Sequence, residues 1–124
     1  MTQPHDYYES CTRLAPGAAA DYERFHRAVP RRVDENLRRA GVVSWRIYLR
    51  NDVLTHCVEV EDRDRMEAIL NDAPTSRWWL EQVAPFLVEG DSPSVERPLG
   101  RLIWDLEWPT REHLEAVSET DRRN

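Results

Sequence analysis

The feature that most constrains this chain is a hairpin pattern near its middle. Residues 42–49 (VVSWRIYL) and residues 53–61 (VLTHCVEVE) are two runs rich in β-branched and aromatic residues, and the turn-forming residues 50–52 separate them. Alternation along the first run places Trp45 and Ile47 on the same face. Two such runs joined by a short polar turn are typical of a β-hairpin. The middle of the chain is therefore predicted to be a pair of antiparallel strands.

The helices and strands that flank this hairpin have their own signals. Pro30 interrupts a helical pattern, Gly41 stands where a helix C-terminal cap belongs, and Asp62 is a suitable N-cap. Residues 89–100 are rich in proline, glycine and serine, which predicts a loop. The predicted elements, in order, are a strand over 7–14, helices over 18–28 and 31–40, strands over 42–49 and 53–61, a short helix after Asp62, a helix over 75–87, and a strand over 101–108 with Leu102, Trp104, Leu106 and Trp108 on one side.

The order strand, helix, strand, strand, helix, strand is that of the split-βαβ, ferredoxin-like α+β fold. Its antiparallel sheet carries helices on one face and leaves the other face uncovered. The residues predicted on that open face form a mixed surface too apolar to stay exposed to water, so we expect a sheet-to-sheet homodimer. They are Arg46, Tyr48, Thr55 and Cys57. Residues 1–108 are assigned to a single domain, and the polar residues 109–124 to a surface helix or a tail.

Composition and motifs argue against several classes of function. The 124 residues carry a formal net charge of −6, and an acidic domain repels the phosphate backbone of nucleic acids. The N-terminal residues do not resemble a signal peptide, and no apolar run is long enough to span a bilayer. Cys11 and Cys57 lack metal-ligand spacing and are expected to be buried, reduced thiols. We therefore expect a cytoplasmic protein with no nucleic-acid or membrane partner and no metal.

A tyrosine and a histidine lie on one face of the first predicted helical stretch. Tyr22 and His26 are four residues apart, so they are neighbours on a helix surface, and their face is otherwise apolar. Such a pair places a phenolic hydroxyl beside a group that titrates near neutral pH. Spacing alone leaves two interpretations open. His26 is either a core histidine that bonds the tyrosine or an acid/base group.

Other candidate residues also have two interpretations. Trp78 and Trp79 are either core residues or a platform for the apolar face of a sugar ring. His56 lies on the inward face of its strand, as a structural histidine or as a second acid/base group. The sequence has no histidine pair with helical metal-binding spacing, no glycine-rich phosphate loop and no nucleophile elbow. We therefore expect chemistry that needs no cofactor.

These residues, in this order, resemble the L-rhamnose mutarotase family over about residues 7–107. The resemblance implies a dimeric α+β barrel that interconverts the α and β anomers of L-rhamnose or a related deoxy-sugar, with a monosaccharide substrate and no cofactor. Its most specific pieces are Tyr22-x-x-x-His26, Ile47-Tyr48-Leu49, Val58-Glu59-Val60-Glu61, Arg77-Trp78-Trp79 and Asp91-Ser92-Pro93.

The resemblance also implies roles for individual residues. His26 matches the proton-transfer residue of the family, and Tyr22, Trp78 and Trp79 match residues that bind the sugar. A further sugar-contacting tyrosine of the family falls at Trp45, whose indole N–H can donate a hydrogen bond but cannot accept one. Two other hypotheses remain open at this point. One is an isomerase or cyclase of a natural-product pathway on the same barrel, and the other is a non-catalytic binding module.

Overall fold

In a computed structural model, which describes residues 4–88, 93 and 97–122, the chain is an α+β protein with one four-stranded antiparallel sheet. The strand order is β1-β3-β2-β4, so β1 and β4 form the two edges. The strands are β1 (Asp6–Arg13), β2 (Val42–Arg50), β3 (Val53–Val60) and β4 (Arg101–Asp105), and the helices are α1 (Ala19–His26), α2 (Arg31–Arg39), α3 (Arg63–Asp72), α4 (Pro74–Val83) and α5 (Arg111–Arg122).

The predicted hairpin is confirmed as the centre of the sheet. Strands β2 and β3 pair from Arg50 and Val53 at the turn to Val42 and Val60 at the far end. Asn51 in the turn has a φ of 56°, a left-handed conformation that asparagine tolerates better than most residues. Local turn chemistry therefore sets the register that brings the inward faces of β2 and β3 together.

The signals predicted for the helix ends are also confirmed. Pro30, with φ near −59°, precedes the first residue of α2 and separates that helix from α1. Gly41 follows α2 with a φ of 93°, a conformation that glycine adopts without a Cβ penalty. The Asp62 carboxylate accepts a hydrogen bond from the Arg65 N–H at 3.0 Å. The helix predicted to reach residue 87 ends earlier, because Pro85 has no N–H to continue it, and a 3₁₀ turn follows.

The hydrophobic core lies between the helices and one face of the sheet. It combines apolar residues from β2 and β3 with the inner stripe of the first two helices, which explains why Tyr22 and His26 are both buried. Fully buried members include Leu14, Tyr22, Val33, Ile47, Leu54, Val58, Val60 and Leu106.

Strand β4 departs from the predicted alternation. Ile47 pairs with Trp104, but the next residue, Tyr48, pairs with Leu102, so Ile103 is an extra residue in a bulge. Residues that pair directly share a face of the sheet. Leu102 therefore lies on the open face with Tyr48, and the prediction that it shares a face with Trp104 is wrong. The strand also ends at Asp105, three residues before its predicted end.

The open face of the sheet carries most of the residues predicted there. Arg46 is exposed, and Tyr48 and Cys57 are half-buried on the side away from the helices. Thr55 differs, because its hydroxyl donates to the Pro98 carbonyl at 3.1 Å and the residue is fully buried. The loop predicted over residues 89–100 falls mostly outside the described residues. Within the part of the chain that the structure describes, no helix is long and apolar enough to cross a membrane.

Candidate active site

A cavity of about 280 Å³ lies between the sheet and the helices of its covered face. Most of its lining side chains are apolar. Its volume lies just below the range of drug-sized ligand pockets, which fits a smaller ligand. Four of the five residues singled out from the sequence line it, namely Tyr22, His26, Trp45 and Trp79.

His26 is the last residue of α1, and aromatic rings surround its imidazole. The ring centroid of Tyr22 lies 5.3 Å away in a stacked arrangement, and the edge-on rings of Trp79 and Trp104 lie at 5.6 and 4.8 Å. The residue is 5% exposed. Its Nδ1 atom has no hydrogen-bond partner among the described residues. The predicted i,i+4 neighbours are therefore in contact through their rings, with the imidazole left available to a ligand.

The surroundings of His26 determine its charge. The pKa of His26 is lowered to about 3, mainly by burial and to a smaller extent by the nearby His56 and Arg111. The imidazole is therefore neutral at neutral pH, with one nitrogen able to accept a proton and the other able to donate one. Burial also raises the pKa of Tyr22, so its phenol keeps its proton. Both members of the pair are uncharged hydrogen-bonding groups inside an apolar cavity.

The two adjacent tryptophans have different surroundings. Trp79 lines the cavity and stacks on Phe25 with 5.2 Å between ring centroids. Trp78 is not among the cavity-lining residues, and the Arg32 guanidinium carbon lies 3.4 Å from the centroid of its ring. Adjacent helical residues point about 100° apart, so only one of the two faces the cavity. Trp78 therefore lies outside the cavity, although its ring contacts that of Trp79.

Trp45 reaches the cavity, but its N–H already has a partner. The indole Nε1 donates to Nδ1 of His56 at 3.2 Å, and Nε2 of His56 lies 3.3 Å from the Thr12 hydroxyl oxygen. All three residues line the cavity. The indole N–H of Trp45 is therefore already used by His56. His56, which the sequence left open, belongs to the same cavity as His26.

Sequence reasoning missed several polar residues of the cavity wall, among them Asn36 and Ser76. Asn36 donates from Nδ2 to the Ser76 hydroxyl at 2.8 Å, and both residues line the cavity. Trp104 also lines it, and its Nε1 is buried without a partner among the described residues. Asn36 follows Val33 by three residues on the apolar face of α2. An asparagine in such a position is a signal that can identify a buried polar site.

Arg111 fastens the C-terminal helix to the connection between α1 and α2. Its guanidinium donates to the main-chain carbonyls of Ala28 and Phe25, both at 2.8 Å. The neighbouring Glu112 accepts a hydrogen bond from the Arg31 N–H at 2.8 Å, at the first residue of α2. Helix α5 therefore supports the chain segment that directly follows the candidate histidine. No sequence pattern in the polar C-terminal region indicates this contact.

Replacing Arg111 by methionine is expected to lower the free energy of unfolding by about 2 kcal/mol, because hydrogen bonds from a charged donor to two carbonyls are lost. The matched control is Arg101→Met, which removes an exposed ion pair with Glu23 and is expected to change the free energy of unfolding much less, because water and salt screen exposed ion pairs. Urea unfolding of both variants measures the difference. Equal losses in the two variants would contradict the role assigned to Arg111.

The described residues do not bring together enough candidate ligands to hold a metal ion. No group of three or more histidine, cysteine, aspartate or glutamate side chains converges in residues 4–88, 93 and 97–122.

The family relationship follows from comparison with known proteins. A family model described as L-rhamnose mutarotase matches residues 8–105, which include every residue that lines the cavity. The chain belongs to the L-rhamnose mutarotase family. An L-rhamnose mutarotase of Burkholderia ambifaria (strain MC40-6) is 29% identical over 89 residues, which cover 69% of this chain and 85% of that protein. Membership in this family supports an enzyme of the isomerase class that interconverts sugar anomers. Helix α5 lies beyond the matched residues.

Proposed function

We propose that this chain interconverts the α and β anomers of L-rhamnose or a related 6-deoxy sugar, with His26 as the proton-transfer residue. The observation that carries the proposal is the position of His26. It is a buried, neutral histidine that lines a small apolar cavity, and this cavity lies wholly within the residues that match the mutarotase family. The family match does not favour the alternative of a natural-product isomerase or cyclase.

The reaction needs only proton transfers. A proton leaves the anomeric hydroxyl, a proton is added to the ring oxygen, and the bond between C1 and the ring oxygen breaks to give the open-chain aldehyde. Rotation and the reverse steps close the ring on the other face of C1. Neutral His26 accepts the proton of the anomeric hydroxyl and, as the imidazolium, donates it to the ring oxygen. The same two transfers run in reverse when the ring closes, which is general acid–base catalysis by one residue. The apolar surroundings favour rapid return to the neutral state.

The other walls suit a deoxy-sugar. The Tyr22 phenol, which stays protonated, binds a sugar hydroxyl. The flat faces of Trp79 and Trp45 contact the C–H groups of the ring, an arrangement in which aromatic area offsets the loss of water. A methyl group at C6 suits a mostly apolar wall better than a hydroxymethyl group does. Trp78, which lies away from the cavity, is proposed to act only by supporting Trp79, with which it is in ring contact at 5.9 Å.

We also propose an oligomeric state and a cellular location for this chain. We infer a homodimer that buries the open face of the sheet. Support comes from the half-buried Tyr48 and the exposed Leu102 on that face, which a second copy would shield from water. The acidic net charge and the candidate substrate fit a cytoplasmic enzyme without a nucleic-acid or membrane partner.

Saturation-transfer NMR tests the activity directly. We expect the purified chain to accelerate anomer exchange of L-rhamnose. L-mannose differs from L-rhamnose only by a hydroxyl at C6. We expect the acceleration of its exchange to be roughly tenfold smaller, because that hydroxyl is left without a partner. Equal acceleration of both sugars would contradict the apolar C6 wall. No acceleration of any 6-deoxyhexose would overturn the proposed function.

A further inference from the structure

One wall of the cavity carries a chain of hydrogen bonds that the reaction above does not use. It runs from Nε1 of Trp45 to Nδ1 of His56, and from Nε2 of His56 to the hydroxyl of Thr12. The three side chains come from β2, β3 and β1, and all of them line the cavity. The indole edge also approaches the His56 ring at nearly a right angle, with 5.9 Å between the centroids.

The direction of this chain follows from which atoms can donate. An indole N–H donates and never accepts, so Nδ1 of His56 must carry a lone pair. The proton of the neutral imidazole is then on Nε2, and it is donated to the Thr12 oxygen. The opposite arrangement would place the Nδ1 proton against the indole N–H. Two donors would then face each other in a part-buried position, and neither would have an acceptor.

We propose that Trp45 and His56 are positioning residues that fix the direction of the Thr12 hydroxyl, and that Thr12 is a specificity-determining residue that donates a hydrogen bond to an oxygen of the sugar. Because the Thr12 oxygen accepts from His56, its own proton points to another acceptor. Thr12 lines the cavity, so an oxygen of a bound sugar can be that acceptor. This inference rests on the proposed function for the nature of the ligand, but the tautomer of His56 does not depend on it.

His56 is therefore assigned a role different from that of His26. Its two nitrogens already have partners, whereas Nδ1 of His26 has none in the described chain. Burial lowers the pKa of His56 to about 4, so the direction of the hydrogen-bond chain is constant at neutral pH. The tryptophan at the position of the family tyrosine thus makes no hydrogen bond to the sugar itself, because its N–H is donated to His56. It moves the polar contact across the sheet to Thr12.

The first test measures the tautomer without any substrate. Nitrogen-15 NMR of histidine-labelled protein distinguishes a protonated from an unprotonated ring nitrogen, and His56→Gln assigns the signals. We expect His56 to carry its proton on Nε2 in the wild type at neutral pH, and Trp45→Phe to abolish that preference because the indole donor is gone. A wild-type proton on Nδ1, or a tautomer unchanged in Trp45→Phe, would overturn the positioning role.

The second test measures the contact with the sugar. Thr12→Val keeps the shape of the side chain and removes its donor, and Thr12→Ser restores the donor. We expect Thr12→Val to raise KM for L-rhamnose roughly threefold to tenfold, the effect of one lost hydrogen bond, with kcat within about twofold of the wild type, and Thr12→Ser to recover most of that loss. Equal KM values for Thr12→Val and the wild type would overturn the contact.

Discussion

Replacing His26 by glutamine is expected to slow anomer exchange by about two to four orders of magnitude, the usual contribution of a general acid–base residue. Glutamine keeps a polar side chain of similar size in the cavity but does not titrate. The large effect follows from the surroundings of His26, because none of the three rings in contact with it accepts a proton at neutral pH. Saturation-transfer NMR on the variant and the wild type measures the ratio.

The control uses the same substitution at an exposed position. His113 lies on α5 with an exposed side chain, so His113→Gln is expected to leave the exchange rate unchanged. Circular dichroism and urea unfolding establish that His26→Gln remains folded. If the folded variant keeps more than half of the wild-type rate, His26 is not the proton-transfer residue, and the reaction must be assigned to another group in the cavity.

Much of the fold was predictable because its signals are local. The turn at Asn51, the break at Pro30 and the cap at Gly41 each act within a few residues, and each appears where the sequence indicates it. The bulge at Ile103 was not predictable, because it depends on how β4 pairs with a strand more than fifty residues away. The alternation of apolar and polar residues within β4 does not indicate that shift in pairing.

The candidate site was also predictable from the sequence only in part. Helical spacing brings Tyr22 and His26 together, and the structure confirms that they are neighbours. Spacing cannot choose between Trp78 and Trp79, because the choice depends on packing against α2, where Arg32 covers one ring. The Arg111 contact was also beyond prediction. Its guanidinium binds main-chain carbonyls, which every residue has, so neither α5 nor the segment after α1 carries a sequence pattern that indicates the contact.

Acid is expected to destabilise the protein through the buried His26 and the half-buried His56. The pKa of His26 is lowered to about 3 and that of His56 to about 4, in both cases first by burial. In the unfolded chain both titrate near 6.5. Below that value the unfolded chain binds protons that the folded chain does not, so the stabilisation is fully present above about pH 6.5 and is lost as the pH falls towards the folded pKa values.

For each histidine, the free energy of unfolding changes by at most about 1.4 kcal/mol per pH unit. Between pH 6 and pH 5 we therefore expect the free energy of unfolding to fall by about 2 kcal/mol. The groups that affect His26 are Tyr22, which stays neutral, and the cations His56 (when protonated) and Arg111, which oppose its protonation. Urea unfolding at several pH values measures the slope.

Substitutions separate the contributions of His26 and His56 to the pH dependence of the free energy of unfolding. His26→Gln and His56→Gln are each expected to remove about half of the slope, and the double variant to remove nearly all of it, because glutamine does not bind a proton in this range. His113→Gln is the matched control, since it is the same substitution at an exposed position on α5. A slope that persists in the double variant would assign the acid sensitivity to other groups. It would also contradict the neutral imidazole on which the proton transfer by His26 and the hydrogen-bond chain to Thr12 both depend.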